Sequence, residues 1–229
     1  MNYNIISTGS IGNAVVINNF MLIDCGVPFR ALSSVVKQLK IVLFTHIHSD
    51  HFNAATIHRL AAERPTLRFA CCKWLLADLI SCGVNKKNID LLAPGQIYNY
   101  GSFKISPILL YHDVPNCGYR IFFGKERAIY ITDTTTVQGI SAKNYDLYLV
   151  ESNYSENEIQ ERIKAKESFG QYVYEYRVLK THLSKEECDE WLMENMSDNS
   201  EYVYLHQHQH SKEGEENFYF NRGAGESLL

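Results

Sequence analysis

The most informative segment of the sequence is Lys40-Ile41-Val42-Leu43-Phe44-Thr45-His46-Ile47-His48-Ser49-Asp50-His51. An unbroken apolar run, typical of a strand that is buried on both faces, leads directly into three histidines and one aspartate. Side chains two residues apart in an extended segment point the same way, so His46 and His48 face a common volume. Neutral imidazoles and carboxylates are good ligands for Zn²⁺ or Mn²⁺. The segment therefore predicts a metal-binding loop at the end of a buried strand.

Further ligand types follow other predicted strands. His112, Asp133 and His206 each come directly after an apolar strand. Active sites of layered α/β proteins are commonly built from loops at strand ends. Asp50 and His51 stand at the turn into the next helix, which places them for a second ion. We therefore expect these residues to converge on one metal centre.

The rest of the chain alternates between strand and helix patterns. Strands are predicted at 4–7, 14–17, 20–23, 40–44, 103–110, 119–123, 128–132, 147–150 and 201–205. Helices are predicted at 54–64, 73–81, 155–166 and 184–196, the last two opened by capping boxes of Ser155 with Glu158 and Ser184 with Glu187. This order indicates an α/β sandwich, with helices outside two sheets.

Composition narrows the class of protein. The chain has 229 residues, of which 45% are hydrophobic and 21% charged, which fits one domain with a sizeable core. A net charge of −4 excludes a broadly basic surface for nucleic acid but leaves a local basic patch open. No apolar run approaches the roughly 20 residues of a membrane helix, and no signal peptide is expected. The six cysteines contain no Cys-x-x-Cys pair, so reduced thiols in the cytoplasm are expected.

Four more segments extend the pattern around the histidine motif: Thr8-Gly9-Ser10-Ile11-Gly12-Asn13, Leu22-Ile23-Asp24-Cys25-Gly26, Val150-Glu151-Ser152-Asn153 and Thr181-His182-Leu183-Ser184. With the histidine motif, they resemble the metallo-β-lactamase fold superfamily. Within it they resemble the branch of the YycJ/WalJ-type exonucleases and the phage anti-Pycsar cyclic-nucleotide phosphodiesterases. The resemblance implies an αββα sandwich of two mixed β-sheets. It implies a catalytic domain at 1–212 and leaves 213–229 as a tail.

The resemblance also implies two divalent ions, Zn²⁺ or Mn²⁺. One ion would be held by His46, His48 and His112, the other by Asp50, His51 and His206, and Asp133 would bridge them. Asp50 is also expected to act in catalysis. His182 is the expected proton donor or phosphate clamp, with a merely structural role at the helix entry as the alternative.

Several assignments stay open at this stage. His208 competes with His206 as the last ligand, because both face the same way in an extended chain. Glu151, Asn153, Ser10, Asn13 and His208 are candidates for contacts behind the ligands or to substrate. The Gly9–Asn13 loop either forms only a tight turn or offers backbone amides to a phosphate.

The predicted function is a two-metal phosphodiesterase, with hydrolysis of 3′,5′-cyclic nucleotides such as cyclic CMP or UMP as the first choice. An exonuclease of the YycJ/WalJ type is the alternative, since it would use the same catalytic residues. A non-catalytic nucleotide-binding module is the alternative of another class, and a thioesterase or lactonase remains open.

The expected partner is a small nucleotide rather than a nucleic-acid polymer. No association with a membrane is expected. A homodimer is predicted, in the host cytosol if a phage encodes the protein. The aromatic residues Phe218-Tyr219-Phe220 of the tail are expected to dock on the body or on a second subunit.

Overall fold

The computed structural model describes residues 1–207, which form two mixed β-sheets stacked face to face. The first sheet contains, in spatial order, β1 (Tyr3–Ser7), β2 (Ala14–Ile17), β3 (Met21–Ile23), β4 (Ile41–Leu43), β5 (Arg68–Cys72) and β6 (Ile89–Leu92). Strands β1 to β3 pair antiparallel, and β3 to β6 pair parallel.

The second sheet contains β7 (Tyr98–Asn99), β8 (Lys104–Leu110), β9 (Asn116–Phe123), β10 (Glu126–Ile131), β11 (Leu147–Glu151) and β12 (Glu201–Leu205). Here β7 to β10 are antiparallel, and β10 to β12 are parallel. Each half of the chain therefore begins as an antiparallel meander and ends in parallel strands. The predicted αββα sandwich of two mixed sheets is confirmed.

The helices lie on the outer faces of the sheets. They are α1 (Ala54–Glu63), α2 (Leu76–Ser81), α3 (Glu156–Ser168), α4 (Glu175–Thr181) and α5 (Lys185–Asn195). Helix α1 begins at Asn53, whose side chain accepts a hydrogen bond from the Thr56 amide at 3.0 Å. Its Ile57 and Leu60 are fully buried against the first sheet, while α5 packs on β11 of the second sheet.

Alternation along the strands explains why the segment before the histidines is apolar throughout. Val42 packs toward α1, whereas Leu43 faces the core between the two sheets. Burying a side chain of this size stabilises the fold by about 1.5–3 kcal/mol. The phenol of Tyr119 on β9 donates to the Phe44 carbonyl, which ties the second sheet to the strand that carries the histidines.

Local details differ from the expectations. The Ser155 capping box is wrong for the described chain, because the Ser155 hydroxyl donates to Glu186 at 3.1 Å and does not cap α3. Ser184 does cap α5, accepting from the Glu187 amide at 3.1 Å. The sequence patterns missed β5, β6, β7 and α4.

None of the helices described in residues 1–207 combines the length and apolarity that crossing a membrane requires. The tail predicted at 213–229 lies outside the described residues.

Candidate metal centre

The candidate ligands sit at one edge of the sandwich, where strands from both sheets end. His46 follows β4, His112 follows β8, Asp133 follows β10 and His206 follows β12. Two antiparallel pairings make β8 parallel to β10, and the parallel pairings of β10 with β11 and of β11 with β12 give β12 the same direction. The carboxyl ends of β8, β10 and β12 therefore share one edge of the second sheet. Residues far apart in sequence therefore meet at a single site.

Three sets of ligand types converge at this edge and share Asp133. Glu151, His182 and His206 complete one set, and the other two contain only predicted ligands. These two are His46, His48, His112 and Asp133, and Asp50, His51, Asp133 and His206, with the ligand atoms of each set within 4.8 Å of one another. The Oδ2 atom of Asp133 lies 3.4 Å from His46 Nε2 and 3.3 Å from His51 Nε2. The structure thus brings together all seven residues that were predicted as ligands.

The ligands are oriented by hydrogen bonds on their far sides. The Thr45 hydroxyl donates to Asp24 and therefore accepts from His46 Nδ1, 2.9 Å away. His51 Nδ1 lies 2.7 Å from Asp24 Oδ2. His112 Nδ1 donates to the Thr181 carbonyl at 2.8 Å. In each ring these bonds place the proton on Nδ1 and leave the Nε2 lone pair for the centre of the cluster.

The cluster fits a divalent metal ion. The Nε2 atom of His46 is fully buried and receives no hydrogen bond from the described residues. A buried polar atom without a partner is costly, and a cation at this position would satisfy it. Imidazoles and carboxylates are the ligand types that Zn²⁺ and Mn²⁺ accept. The histidine and aspartate cluster is therefore a divalent-metal-binding arrangement.

Charges within the cluster are strongly coupled. Burial alone would lower the pKa of His51, but the carboxylates of Asp133 and Asp24 outweigh burial and raise that pKa well above its usual value. Burial would raise the pKa of Asp133, but His51 and His206 hold it well below the usual range. Burial lowers the pKa of His46. The site therefore holds buried imidazoles and an ionised carboxylate at close range, where a metal ion would replace protons.

Three residues at this edge adopt left-handed backbone conformations. Asp24 has φ 58°, Asp133 φ 50° and His206 φ 52°, and each stands just after a strand. Positive φ is uncommon outside glycine and concentrates at functional sites, where the surrounding structure enforces it. At these three strand ends an unfavourable backbone conformation is therefore retained, and it sets the direction in which each side chain points.

Two candidate contacts behind the ligands are buried against them. Asn13 places its amide nitrogen 2.8 Å from His51 Nε2 and 3.2 Å from the Asp50 carbonyl, to which it donates. Asn153 donates to the His206 carbonyl at 3.0 Å. Ser10 is exposed on the loop before Asn13. The Gly9–Asn13 loop is thus a turn closed by the Asn13 side chain and set against the metal centre.

Glu151 and His182 form a pair beside the cluster. The fully buried Glu151 carboxylate accepts from the Thr134 amide at 2.8 Å and from His182 Nδ1 at 2.5 Å. The His182 ring lies 5.1 Å from that of His206, measured between centroids. Burial lowers the pKa of His182, but the Glu151 charge and hydrogen bond outweigh burial and raise it. His182 therefore lies at the edge of the metal centre in surroundings that favour its protonated form.

Sequence reasoning assigned no role to several residues that the structure places at the site. Asp24 orients the ligand loop, and its signal was the Leu-Ile-Asp-Cys-Gly segment. Asp113 lies 3.2 Å from both His48 Nε2 and His112 Nε2, and pairs with Arg177 at 2.6 Å. No local pattern marks that pair. Of the two rivals for the last ligand, His206 lies in the cluster, and His208 is outside the described residues.

The fold is a sandwich of two mixed sheets, and the cluster at its strand ends is a metal-binding arrangement of histidines and aspartates. A family model for the β-lactamase superfamily domain matches residues 19–206. The chain belongs to this family, the metallo-β-lactamase superfamily. The branch suggested by the sequence motifs stays a prediction.

Individual relatives agree with this family. Ribonuclease Z of Thermosynechococcus vestitus is 27% identical over 138 residues, which are 52% of this chain but only 33% of that protein. The chain thus matches about a third of the length of this curated relative.

Three solved structures share the fold. YhfI of Bacillus subtilis has a TM-score of 0.66 at 18% identity, covering 90% of this chain and 85% of that one. The short form of human tRNase Z has a TM-score of 0.66 at 15% identity, with 90% and 93% covered. Zn²⁺-bound PqqB of Methylobacterium extorquens has a TM-score of 0.61 at 12% identity, with 90% and 89% covered.

Proposed function

We propose that this protein is a phosphodiesterase that works with two divalent ions, Zn²⁺ or Mn²⁺. His46, His48 and His112 would hold one ion, Asp50, His51 and His206 the other, and Asp133 would lie between them. One observation carries the proposal: Asp133 belongs to the converging ligand set of each proposed ion. A carboxylate shared in this way suits a pair of ions that flank one reacting group.

Bound divalent ions supply a Lewis acid for phosphoryl oxygens and a water of low pKa for attack on phosphorus. The protein supplies orientation and proton transfer. The Asp50 carboxylate is 20% exposed and lies 3.6 Å from His51 Nε2, and it would orient the attacking water. Glu151 holds His182 through Nδ1, which leaves Nε2 to donate a proton to the leaving oxygen. The charge and hydrogen bond of Glu151 raise the pKa of His182, which favours its protonated form.

Two substrate classes are candidates for this centre. The first is a 3′,5′-cyclic nucleotide such as cyclic CMP or UMP, whose opening would destroy a signal; in a phage-encoded protein this would evade host immunity. Its support is the motif resemblance and the net charge of −4, which offers no broad basic surface to a polymer. The second is the end of a DNA or RNA strand, and its support is the similarity to a ribonuclease Z.

The decisive experiment is a product assay with Zn²⁺ or Mn²⁺ on cyclic CMP, UMP, AMP and GMP beside single-stranded and duplex oligonucleotides. Opening of the cyclic nucleotides alone would support the first candidate, and cleavage of the oligonucleotides alone the second. A polymer substrate should also bind with a steep salt dependence. Tight nucleotide binding without any product would contradict the proposal and indicate a non-catalytic binding module.

Two variants control this assay. The double substitution Asp50→Ala with His51→Ala removes two ligands of one set and should abolish turnover. The matched control is His58→Ala, because His58 lies on α1 and bonds the Cys82 carbonyl at 3.1 Å instead of joining the cluster. It should retain activity.

We further propose a homodimer in the cytosol, which light scattering after gel filtration and fractionation of expressing cells would test. All six cysteines are free and buried, which supports a reducing compartment.

A further inference from the structure

A pocket of about 410 Å³ opens beside the metal centre. It is lined by Asp113, Tyr176, Arg177, Lys180 and Thr181. Two of its five lining residues are cations, and both stand on α4. None of these five residues is a predicted ligand, although Asp113 contacts two of the ligands.

Asp113 connects the pocket to the cluster. One of its carboxylate oxygens lies 3.2 Å from His48 Nε2, and the other accepts from Arg177 Nη2 at 2.6 Å. This ion pair joins the cation Arg177 to Asp113, which itself contacts the candidate ligands. The guanidinium of Arg177 is thereby held one carboxylate away from the metal centre.

The ion pair is poorly suited to a purely structural role. The Arg177 side chain is 69% exposed and that of Asp113 30% exposed. Pairs with this exposure contribute between 0 and about 1 kcal/mol to stability. A guanidinium has five N–H donors, and the bond to Asp113 engages only one edge. Donors on Arg177 therefore remain available to an anion in the pocket.

Helix α4 is fixed relative to the metal centre. Its last residue, Thr181, accepts a hydrogen bond from His112 through its carbonyl. The Tyr176 hydroxyl donates to Glu167 on α3 at 2.6 Å, and Lys166 pairs with Glu175 at 2.7 Å. The cations of α4 are thus presented on an anchored element, as a specific subsite requires.

We propose that this pocket binds a second, non-scissile phosphate of the nucleotide substrate, with Arg177 and Lys180 as the phosphate contacts and Tyr176 as a stacking surface for the adjoining base. This inference rests on the proposed phosphodiesterase function and refines its substrate class. Arginine pairs with phosphate through parallel hydrogen bonds, and aromatic rings stack on bases without regard to sequence. Substrates with a phosphate beside the scissile diester are therefore preferred over cyclic mononucleotides.

The test compares a dinucleotide without an end phosphate with the same dinucleotide carrying a 5′ or a 3′ phosphate. Bis(p-nitrophenyl) phosphate, which has no second phosphate, reports the metal centre alone. The variants are Arg177→Ala and Lys180→Ala. The matched control is Arg59→Ala, since Arg59 is an exposed arginine on α1 that pairs with Glu63. Binding of phosphorothioate dinucleotides to the metal-loaded protein gives a readout besides turnover.

We expect one end phosphate to lower KM, and Arg177→Ala to remove that gain with a loss of about 10- to 100-fold, as for a charged hydrogen bond. In Arg177→Ala the loss on the end-phosphorylated dinucleotide should exceed the loss on bis(p-nitrophenyl) phosphate, which has no second phosphate, and the metal content reports any change at the ligands. Arg59→Ala should behave like the parent protein.

Two results would overturn the inference: equal turnover of all three dinucleotides, or an equal loss on every substrate in Arg177→Ala. If the parent protein hydrolyses no phosphodiester, the proposed function fails. The pocket is then judged by binding, and an unchanged affinity for end-phosphorylated phosphorothioates in Arg177→Ala would overturn it separately.

Discussion

The carboxylate of Asp24 and the Nδ1 atom of His51 lie 2.7 Å apart, and both side chains are fully buried. The same carboxylate accepts from the Thr45 amide at 2.9 Å and from the Thr45 hydroxyl. Since Thr45 in turn orients His46, one aspartate just after β3 sets the direction of ligands in both sets of predicted ligands. The metal centre is therefore built on a buried polar network that the strand ends hold in place.

Replacing Asp24 with Asn should weaken metal binding 10- to 100-fold, the usual effect of losing a partner behind a ligand. Asparagine tolerates the left-handed backbone at φ 58° but loses the charge and one acceptor. The unsatisfied donors should also cost about 1–3 kcal/mol of unfolding free energy. Metal titration and urea unfolding would measure both effects. Asp90→Asn, which disturbs the ion pair with Arg68, should leave metal affinity unchanged; an equal loss there would point to a general charge effect.

Gly26→Ala should displace the ligand loop. A Cβ at Gly26 would lie 1.7 Å from the Asp50 carbonyl oxygen and 2.7 Å from the His51 amide nitrogen. Both are backbone atoms, so no side-chain rotation relieves the clash, and overpacking costs about 1–3 kcal/mol or more. We expect lost metal binding as well as lower stability. Gly124→Ala, a turn glycine with φ 59° and open space, should lower stability without affecting metal content. Normal metal binding in Gly26→Ala would contradict this account.

Much of the site was predictable because its ligands directly follow apolar strands. A polar residue directly after an apolar run indicates both a strand and the place where it ends. The positions of His112, Asp133 and His206 at strand ends could therefore be predicted from the sequence alone. The histidine motif added local spacing. These patterns involve only residues that are close in sequence, and most ligands of the metal centre are marked by them.

What was missed depends on contacts between distant parts of the chain. Helix α4 has only seven residues, too short for a clear helical period. The Arg177 to Asp113 pair joins residues 64 apart. The Ser155 capping box matched the local pattern, but Glu186 on α5 competed for the hydroxyl. Tertiary contacts of this kind leave no pattern in a single sequence.

Chelation should lower the melting temperature. A ligand that binds only the folded state stabilises it by about 2.7 kcal/mol when present at 100 times its Kd. For a chain of this length that corresponds to about 5–11 °C. Differential scanning calorimetry with Zn²⁺, with Mn²⁺ and with EDTA would measure the shift. An Asp133→Asn protein, which lacks the shared carboxylate, should show little shift, and an undiminished shift would argue against Asp133 as a ligand.

Stability should depend on Glu175 in a defined pH range. Burial raises the pKa of Glu175, but its hydrogen bond and charge interaction with Lys166 outweigh burial and lower it below the ordinary 4.5. A lowered folded-state pKa contributes stability above 4.5 that disappears as the pH falls through the folded-state value. Glu175→Gln should therefore be less stable than the parent protein at pH 7 and match it in strong acid. Urea unfolding at several pH values would test this, with Glu63→Gln as the exposed control.

His182 should matter most when the leaving group needs a proton. Its Nδ1 is held by Glu151, so His182→Ala should lower kcat about 10²- to 10⁴-fold for a ribose leaving group. The loss should be much smaller for bis(p-nitrophenyl) phosphate, whose leaving group departs without protonation. A merely structural histidine would reduce both rates equally.

The decrease in kcat/KM at alkaline pH provides a second test of the Glu151 and His182 pair. An acid with a raised pKa works at low and neutral pH and is lost as the pH rises through that pKa. Glu151→Gln removes the charge that raises the pKa of His182, so the alkaline limb should move to lower pH while His182 keeps a hydrogen-bond partner. Profiles of kcat/KM on a dinucleotide, for the parent protein and Glu151→Gln, would show the shift. If the alkaline decrease in kcat/KM occurred at the same pH in both proteins, another group would cause it. His182 would then have only a structural role.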